Sequence, residues 1–358
     1  MENDKENKPV RKKKGAKRKK QSWAAKHSLA ILTAFIAFLV LAGAFVVFCL
    51  QGYRGEGAWV YIPHDASSAS IKDSLQSSLG STEGNRVYYL WKAIGGKESL
   101  AHGAYFVENG DKSLNTAKRL KRGIQTPVKI KFNSSRTIDD AAKKLTAGIE
   151  CTPQAFVETA TAILAEQGFT LEEYPAAFLP DTYEVYWSDS PEKIMKRLLD
   201  ERNRFWNEER LKKAESLSLN PIEVATLASI VEGETAKADE KATVARLYLN
   251  RLKKGMKLQA DPTVKFATGD PSLKRILAQH LKIESPYNTY LHAGLPPGPI
   301  RIPDKSTLDA VLNAPVNNYL YMCAKEDFSG YHNFTSDYST HLANARRYQA
   351  ELNKRGIR

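Results

Sequence analysis

The chain has 358 residues, 42% hydrophobic and 26% charged, with a formal net charge of +13, a composition that excludes wholesale disorder and allows one large core or two to three smaller ones. Residues Met1 to His27 hold eleven Lys/Arg against three Asp/Glu, so +8 belongs to a short tail and +5 to the remainder of the chain. A mildly cationic body argues against a nucleic-acid partner; no Cys/His spacing resembles a zinc site, and neither a metal nor a cofactor is expected.

In chain order, the basic tail (residues 1–27) precedes a segment without a single Lys, Arg, Asp or Glu between Lys26 and Arg54. Leu29 to Leu50 is a mostly apolar run of 22 residues; at ~1.5 Å per residue it spans roughly 33 Å, enough for a hydrocarbon core of about 30 Å. Residues 28–51 are therefore expected to form a transmembrane helix. The clusters Arg11–Lys14 and Lys17–Lys20 should keep the tail cytoplasmic and place the chain beyond Gln51 outside the bacterial cytoplasmic (inner) membrane. A cleaved signal peptide fits less well, because the run exceeds the usual h-region and no A-x-A site comes after it. Cys49 is preceded by Phe48 where a lipid-attachment site wants a small residue. Cys151 and Cys323 would lie on the oxidising side, and a disulfide between them is left open.

Residues 52–150 read as a membrane-proximal region with a weakly repeated strand–turn–helix theme. Val60–Ile62 leads to Ile71–Leu75, Ala104–Val107 to Leu114–Lys121, and Val128–Phe132 to Ile138–Leu145. In the third copy Val128, Ile130 and Phe132 alternate with lysines, as in a half-buried strand, and Ser135 or Thr137 can cap the helix after it. The pattern suits a small binding module or a spacer equally well. From Thr152, a cap with Pro153 next to it, the texture turns helical up to about Gln167. Phe178–Tyr183 reads as a turn-rich connector, and Pro191–Leu217 as one long charged helix with a solvated face.

The next helix carries the chemistry. Asn220–Glu223 has a cap, a first-turn Pro and a Glu at the third position. Val224, Leu227, Ala228 and Val231 form the core stripe. Ala225, Ala228 and Glu232 stack on one side, leaving room beside the Glu232 carboxyl; at the edge of an apolar stripe it is expected to be partly desolvated and to hold its proton. Glu234 lies ~200° further round, so the two carboxylates cannot share one task while the helix persists. A second helix ends in Asn250-Arg251-Leu252, closed by Gly255. Beyond it lie rigid loops rich in amides, hydroxyls and tyrosines: Leu258–Val264, Ser285–Tyr290 and Gly294–Ile300. Saccharide sites need that mixture.

The run Leu227–Thr235, with Asn250–Leu252, Leu258–Val264, Tyr287–Tyr290, Gly294–Gly298, and also Phe178–Tyr183 and Asn333–Thr335, resembles the YceG-like (MltG) endolytic murein transglycosylase family over roughly residues 100 to 350. Gly233 stands where that family often has Lys. The resemblance implies an α+β protein with an N-terminal transmembrane helix, a small LysM-like α/β subdomain matching Gly103 to Leu145, and a mainly helical catalytic domain with some β-structure at residues 151–358. It implies a lyase that cleaves peptidoglycan glycan strands, with the catalytic role on Glu232, the first glutamate of S-I-V-E-x-E-T. Gln259, Tyr287 and Asn288 are candidates for holding the sugar. Thr289, Asn250 and Glu234 are further candidates for the substrate site, and Asp261 for bracing a loop. The resemblance also implies action on nascent glycan beside peptidoglycan synthases. A muramidase, which usually needs a second carboxylate, and a non-enzymatic glycan-binding scaffold are the rival readings.

Overall fold

The structure, a computed structural model, describes residues 27–273 and 275–356; the basic tail falls outside them except for His27. Helix α1 (Ser28–Leu50) carries the apolar run with nearly all its side chains exposed, Cys49 being buried, and among the described residues it is the one helix long and apolar enough to cross a membrane. The other described residues form a mixed α+β body with three hydrophobic cores and three separate two-stranded antiparallel sheets.

The first core gathers β1 (Ala58–Ile62), α2 (Ser68–Leu79), α3 (Ser81–Ala93), the short α4 (Glu98–Ala101), β2 (Gly103–Val107) and α5 (Ser113–Arg122). Val60 and Ile62 point inward beside Tyr105 and Val107, as the alternation requires, and β1 pairs with β2 in the register Val60↔Tyr105. The order is strand, three helices of which the last is a single turn, strand, closed by α5. The second core joins β3 (Val128–Phe132), α6 (Ile138–Leu145), α7 (Pro153–Glu166), a 3-10 turn (Leu171–Ala177), β4 (Asp181–Val185) and α8 (Pro191–Phe205). Thr137 and Thr152 cap α6 and α7.

The structure revises several of the expectations drawn from sequence. Part of the Phe178–Tyr183 connector is a strand, β4, which pairs with β3 in the register Ile130↔Tyr183; the division expected at residue 150 therefore runs through the second core. The strand–helix units of Gly103 to Leu145 do not form one subdomain, because β2–α5 packs in the first core and β3–α6 in the second. The single helix read over Pro191–Leu217 is two, α8 and α9 (Glu208–Ser216). Trp206 turns into the core between them, and Asn207 starts the second by accepting from the Arg210 amide at 3.0 Å. Cys151 and Cys323 are free thiols.

The third core is built on α10 (Pro221–Glu234) and α11 (Lys241–Lys253). They are joined by α12 (Asp261–Ala267), a 3-10 turn (His280–Lys282), α13 (Lys305–Leu312), the β5 (Tyr321–Ala324)/β6 (His332–Thr335) ribbon and α14 (Tyr338–Lys354). Its seam with the second core is polar and specific. Ile302 is buried in the second core and its amide donates to Ser135 O at 2.8 Å, while Lys305 Nζ bonds Glu201 at 2.9 Å and also Asp181.

Candidate functional site

Helix α10 starts in a fixed phase. Asn220 Oδ1 accepts from the amides of Ile222 and Glu223 at 2.8 and 2.9 Å, and Glu223 reaches back to the Asn220 amide at 2.8 Å. This reciprocal cap satisfies donors that would otherwise be orphaned. Every residue from Val224 to Val231 is then buried, so the helix runs through the core and emerges with its last turn. The two glutamates of that turn leave in different directions.

Glu232 turns toward α13. Its Oε2 accepts from the Asp304 amide at 2.9 Å and from Thr307 Oγ1 at 3.0 Å; Arg301 Nε lies 3.4 Å from Oε1, and the side chain is 8% exposed. Asp304 gives α13 no side-chain cap; the Glu232 carboxyl ties the start of α13 to α10 through the Asp304 amide and the Thr307 hydroxyl. Glu232 lines neither of the clefts at this helix end; Arg301 stands between it and the nearer one.

Glu234 turns the other way. Its Oε1 accepts from Tyr248 Oη, on α11, at 2.6 Å. Burial pushes its carboxyl up to about 7; the Tyr248 hydrogen bond opposes that rise and the nearby Asp261 charge adds to it. Asp261 opens α12 and accepts from Tyr290 Oη at 2.7 Å. Glu234 and Asp261 both line two clefts. One, of about 680 Å³, also presents Arg136, Lys265, Phe266 and Arg301. The other, of about 470 Å³, presents Arg251, Gln259, Tyr290 and the Tyr321/Tyr338/His341 group. There the Tyr321 and His341 rings stack at 5.3 Å and Tyr338 lies 5.4 Å from Tyr321.

Of the remaining sequence candidates, Gln259 also reaches the second cleft. Its backbone sits at φ 52, a left-handed conformation that side chains rarely adopt and that costs of order 1–3 kcal/mol. Arg251 holds it there, donating to Gln259 Oε1 at 2.5 Å as well as to Lys257 O and Leu320 O. Tyr287 packs its ring 4.6 Å from Phe266, behind the first cleft. Asn288 and Thr289 are buried, with their side-chain bonds taken up by neighbouring protein groups. Asn288 Nδ2 donates to Leu281 O and Ile283 O, and Thr289 Oγ1 accepts the Ala260 amide and pairs with Thr263. They set the loop that carries Asp261. Asn250 lies apart, donating to Asn317 O and Tyr319 O. Tyr248, Tyr290, Arg251 and Arg136 are absent from the sequence candidates; the available signal was Tyr248, a phenol on the core face of α11 whose hydroxyl needs a buried partner. Among the described residues no group of three or more His, Cys, Asp or Glu is arranged to hold a metal ion.

The profile of the YceG-like family matches residues 60–347. Part of the chain is 43% identical over 102 residues to the endolytic murein transglycosylase of Bacillus subtilis, covering 28% of each chain. Another match is 34% identical over 116 residues to the protein of the same name in Streptococcus pneumoniae, covering 31% of this chain and 21% of that one. The chain thus spans less than a third of the length of the curated relatives it matches. The crystal structure of a yceG-like protein from Listeria monocytogenes superposes with a TM-score of 0.51 at 22% identity, over 80% of this chain and 98% of that one, which speaks for the fold.

Proposed function

The chain belongs to the YceG-like family, whose profile spans residues 60–347, and on that premise we propose that it is a membrane-anchored endolytic lytic transglycosylase of peptidoglycan, with Glu234 as its acid and base. One observation carries the residue assignment: a carboxyl held up to about 7 by burial stands in the shared wall of two clefts. A general acid for a glycosidic oxygen needs its proton near neutral pH. A glycan strand, which must extend on both sides of the bond that is cut, needs a cleft on each side. The Tyr321/Tyr338/His341 rings offer pyranose faces on one side, and Phe266 with Arg136 and Lys265 lines the other.

In this reading Glu234 gives its proton to the oxygen leaving C1 of N-acetylmuramic acid. The resulting carboxylate then takes the proton of the same sugar's C6 hydroxyl as that oxygen bonds to C1. The product end is a 1,6-anhydro ring and Glu234 is reprotonated; the nucleophile is already part of the substrate, which supplies proximity. Tyr248 orients the carboxyl, Gln259 faces the sugar, and Glu232 shapes the fold around Arg301. Helix α1 anchors the chain in the cytoplasmic membrane with the tail inside, the β1–β2 unit of the first core with the helices between its strands serves as a LysM-like glycan-binding module, and nascent glycan beside peptidoglycan synthases is the substrate.

Asp261 supports a second reading. It lines both clefts with Glu234, and a hydrolase uses such a second carboxylate to activate water or form a glycosyl-enzyme. Mass spectrometry of a sacculus digest separates the two, since hydrolysis yields reducing ends and transglycosylation anhydro ends. In the same digest Glu234→Gln is expected to release no anhydro-muropeptides while keeping a wild-type circular-dichroism spectrum, and Glu232→Gln to remain active. The opposite pattern would return the catalytic role to Glu232.

A further inference from the structure

The two clefts that meet at Glu234 differ in charge. In the aromatic cleft the Arg251 guanidinium is committed through each of its nitrogens, Nε to Lys257 O, Nη1 to Leu320 O and Nη2 to Gln259 Oε1. His332 Nδ1 lies 3.0 Å from Glu240, and burial with the Arg251 charge holds the His341 imidazole below its ordinary value. That wall offers a sugar ring faces and neutral polar groups.

The cleft of about 680 Å³ is the reverse. Arg136, Lys265, Arg275 and Arg301 line it against the carboxyls of Glu234 and Asp261. Arg301 is balanced by Glu232, 3.4 Å away, and Asp261 is bonded by Tyr290 Oη at 2.7 Å. Asp270, whose charge Lys265 helps to stabilise, spends its carboxylate on the Ser272 amide and hydroxyl at 2.8 and 2.6 Å. Among the described residues no carboxylate stands within ion-pair distance of Arg136, Lys265 or Arg275. The cleft therefore faces its opening with an excess of positive charge.

The loop that carries Arg136 is locked in place. Ser134 Oγ donates to Ile302 O at 2.7 Å and accepts from Arg301 Nε at 2.9 Å, and Ser135 O accepts the Ile302 amide at 2.8 Å. Lys144 Nζ donates to Asn133 Oδ1 at 2.7 Å and Ser135 Oγ at 3.0 Å, so its charge is spent on fixing the loop. Arg136 is left over: its guanidinium stands 5.8 Å over the Phe266 ring and donates to no described protein group. A planar fork of donors held against a ring, with no acceptor of its own, is prepared for a carboxylate.

We propose that this cleft takes the acidic peptide stem of the N-acetylmuramic acid at the cut bond, its carboxylates meeting Arg136, Lys265 and Arg275. The site rests on the transglycosylase reading and deepens it, since it selects strands that carry stems. In peptidoglycan the N-acetylglucosamine ring is neutral, whereas muramic acid bears a lactyl-linked peptide with free carboxylates. That peptide leaves C3, two bonds from the C1 that Glu234 serves, so it departs beside the catalytic acid. The volume lies within the roughly 300–1,000 Å³ of a small-ligand pocket and suits a short peptide segment.

The test gives the full chain one uncrosslinked glycan in different forms: with stems intact, with stem carboxyls converted to methylamides, and with stems removed at the lactyl amide. Anhydro ends are measured by mass spectrometry, and kcat/KM is compared between forms. Wild type is expected to favour intact stems about tenfold over either altered form, the scale of one charge-assisted hydrogen bond. Arg136→Ala and Arg275→Glu should each bring that ratio close to one, while Arg136→Lys keeps most of it because the charge remains. Each ratio is read within one variant, so a general loss of folded protein cancels from it. Equal rates on all forms, or a preference unchanged in both charge-removing variants, would overturn the stem site and leave the transglycosylase reading standing. A preference that survives methylamidation would mean contact with the peptide's bulk and not its charge, and would overturn the site too. No new ends from any form would overturn the reaction and this site together. Reducing ends with the same preference would move the reaction to hydrolysis and support the site.

Discussion

Glu234 keeps its proton up to about pH 7 because burial disfavours its charged form, and Tyr248 is the group that holds the value down. Two outcomes are expected at this residue. In the proposed reaction kcat/KM should fall as pH rises through about 7, since the acid form is lost there. Tyr248→Phe removes the hydrogen bond to the carboxylate, so the falling limb should move to higher pH; a limb that stays in place would detach the profile from Glu234. Stability carries the same sign information. The folded value lies above the ordinary 4.5, so the group's contribution is complete below about 4.5 and is lost as pH rises through about 7. Relative to Glu234→Gln, the wild type should lose up to ~3 kcal/mol over that window, and melting curves at pH 4.5 and 8 would show the variant gaining several degrees at the higher pH. The sequence made half of this legible. Helical phase separates Glu232 from Glu234, and the apolar stripe of α10 is visible in Val224, Leu227 and Val231. Which of the two carboxyls meets a cleft depends on where α11, α12 and α13 pack, and no spacing within α10 encodes that.

At the scale of elements, α10 and α12 approach so closely that a Cβ on Gly233 would stand 2.7 Å from Pro262 Cβ, a ring atom that cannot swing aside. Gly233→Ala should therefore push the start of α12, and Asp261 with it, away from Glu234. A cost of ~1–3 kcal/mol is expected from overpacking, with a loss of kcat larger than the loss of thermal stability would explain. Unchanged kcat would mean that the position of Asp261 does not matter to the reaction. Asn220→Ala acts at the other end of α10: losing the reciprocal cap should cost ~1 kcal/mol, read as a lower midpoint in urea, with the pH profile unmoved. Local signals of this kind were readable in advance. The caps at Thr137, Thr152 and Asn220 and the three strand–helix pairs all depend on neighbours a few residues away. The β3–β4 pairing was not readable, because it joins Ile130 to Tyr183 across two helices and depends on closing that loop. The break between α8 and α9 was hidden for a related reason: Trp206 leaves the helix to fill a core built from distant segments.

For the molecule as a whole, the distribution of exposed apolar side chains bears on what helix α1 does. More than half of the large apolar residues left exposed lie on α1, while the three cores account for the buried ones. Helix α1 gives the first core only Cys49 and the Phe48–Arg86 contact, and the backbone bonds that close that core begin at Gln51 O. A chain beginning at Gln51 should therefore be soluble, and its melting midpoint should stay within a few degrees of the full chain's, because every sheet pairing and almost every buried side chain remains. In the proposed function it should also digest isolated sacculi to anhydro ends, since both clefts lie in the third core and at its seam with the second. What should change is reach: the full chain ought to sediment with membranes and act only on glycan within the height of its three cores, whereas the shortened chain has no such limit. Fractionation and a digest of intact sacculi check this directly. Aggregation of the shortened chain, or a new low-temperature transition, would mean that α1 is a structural part of the first core and not merely its tether.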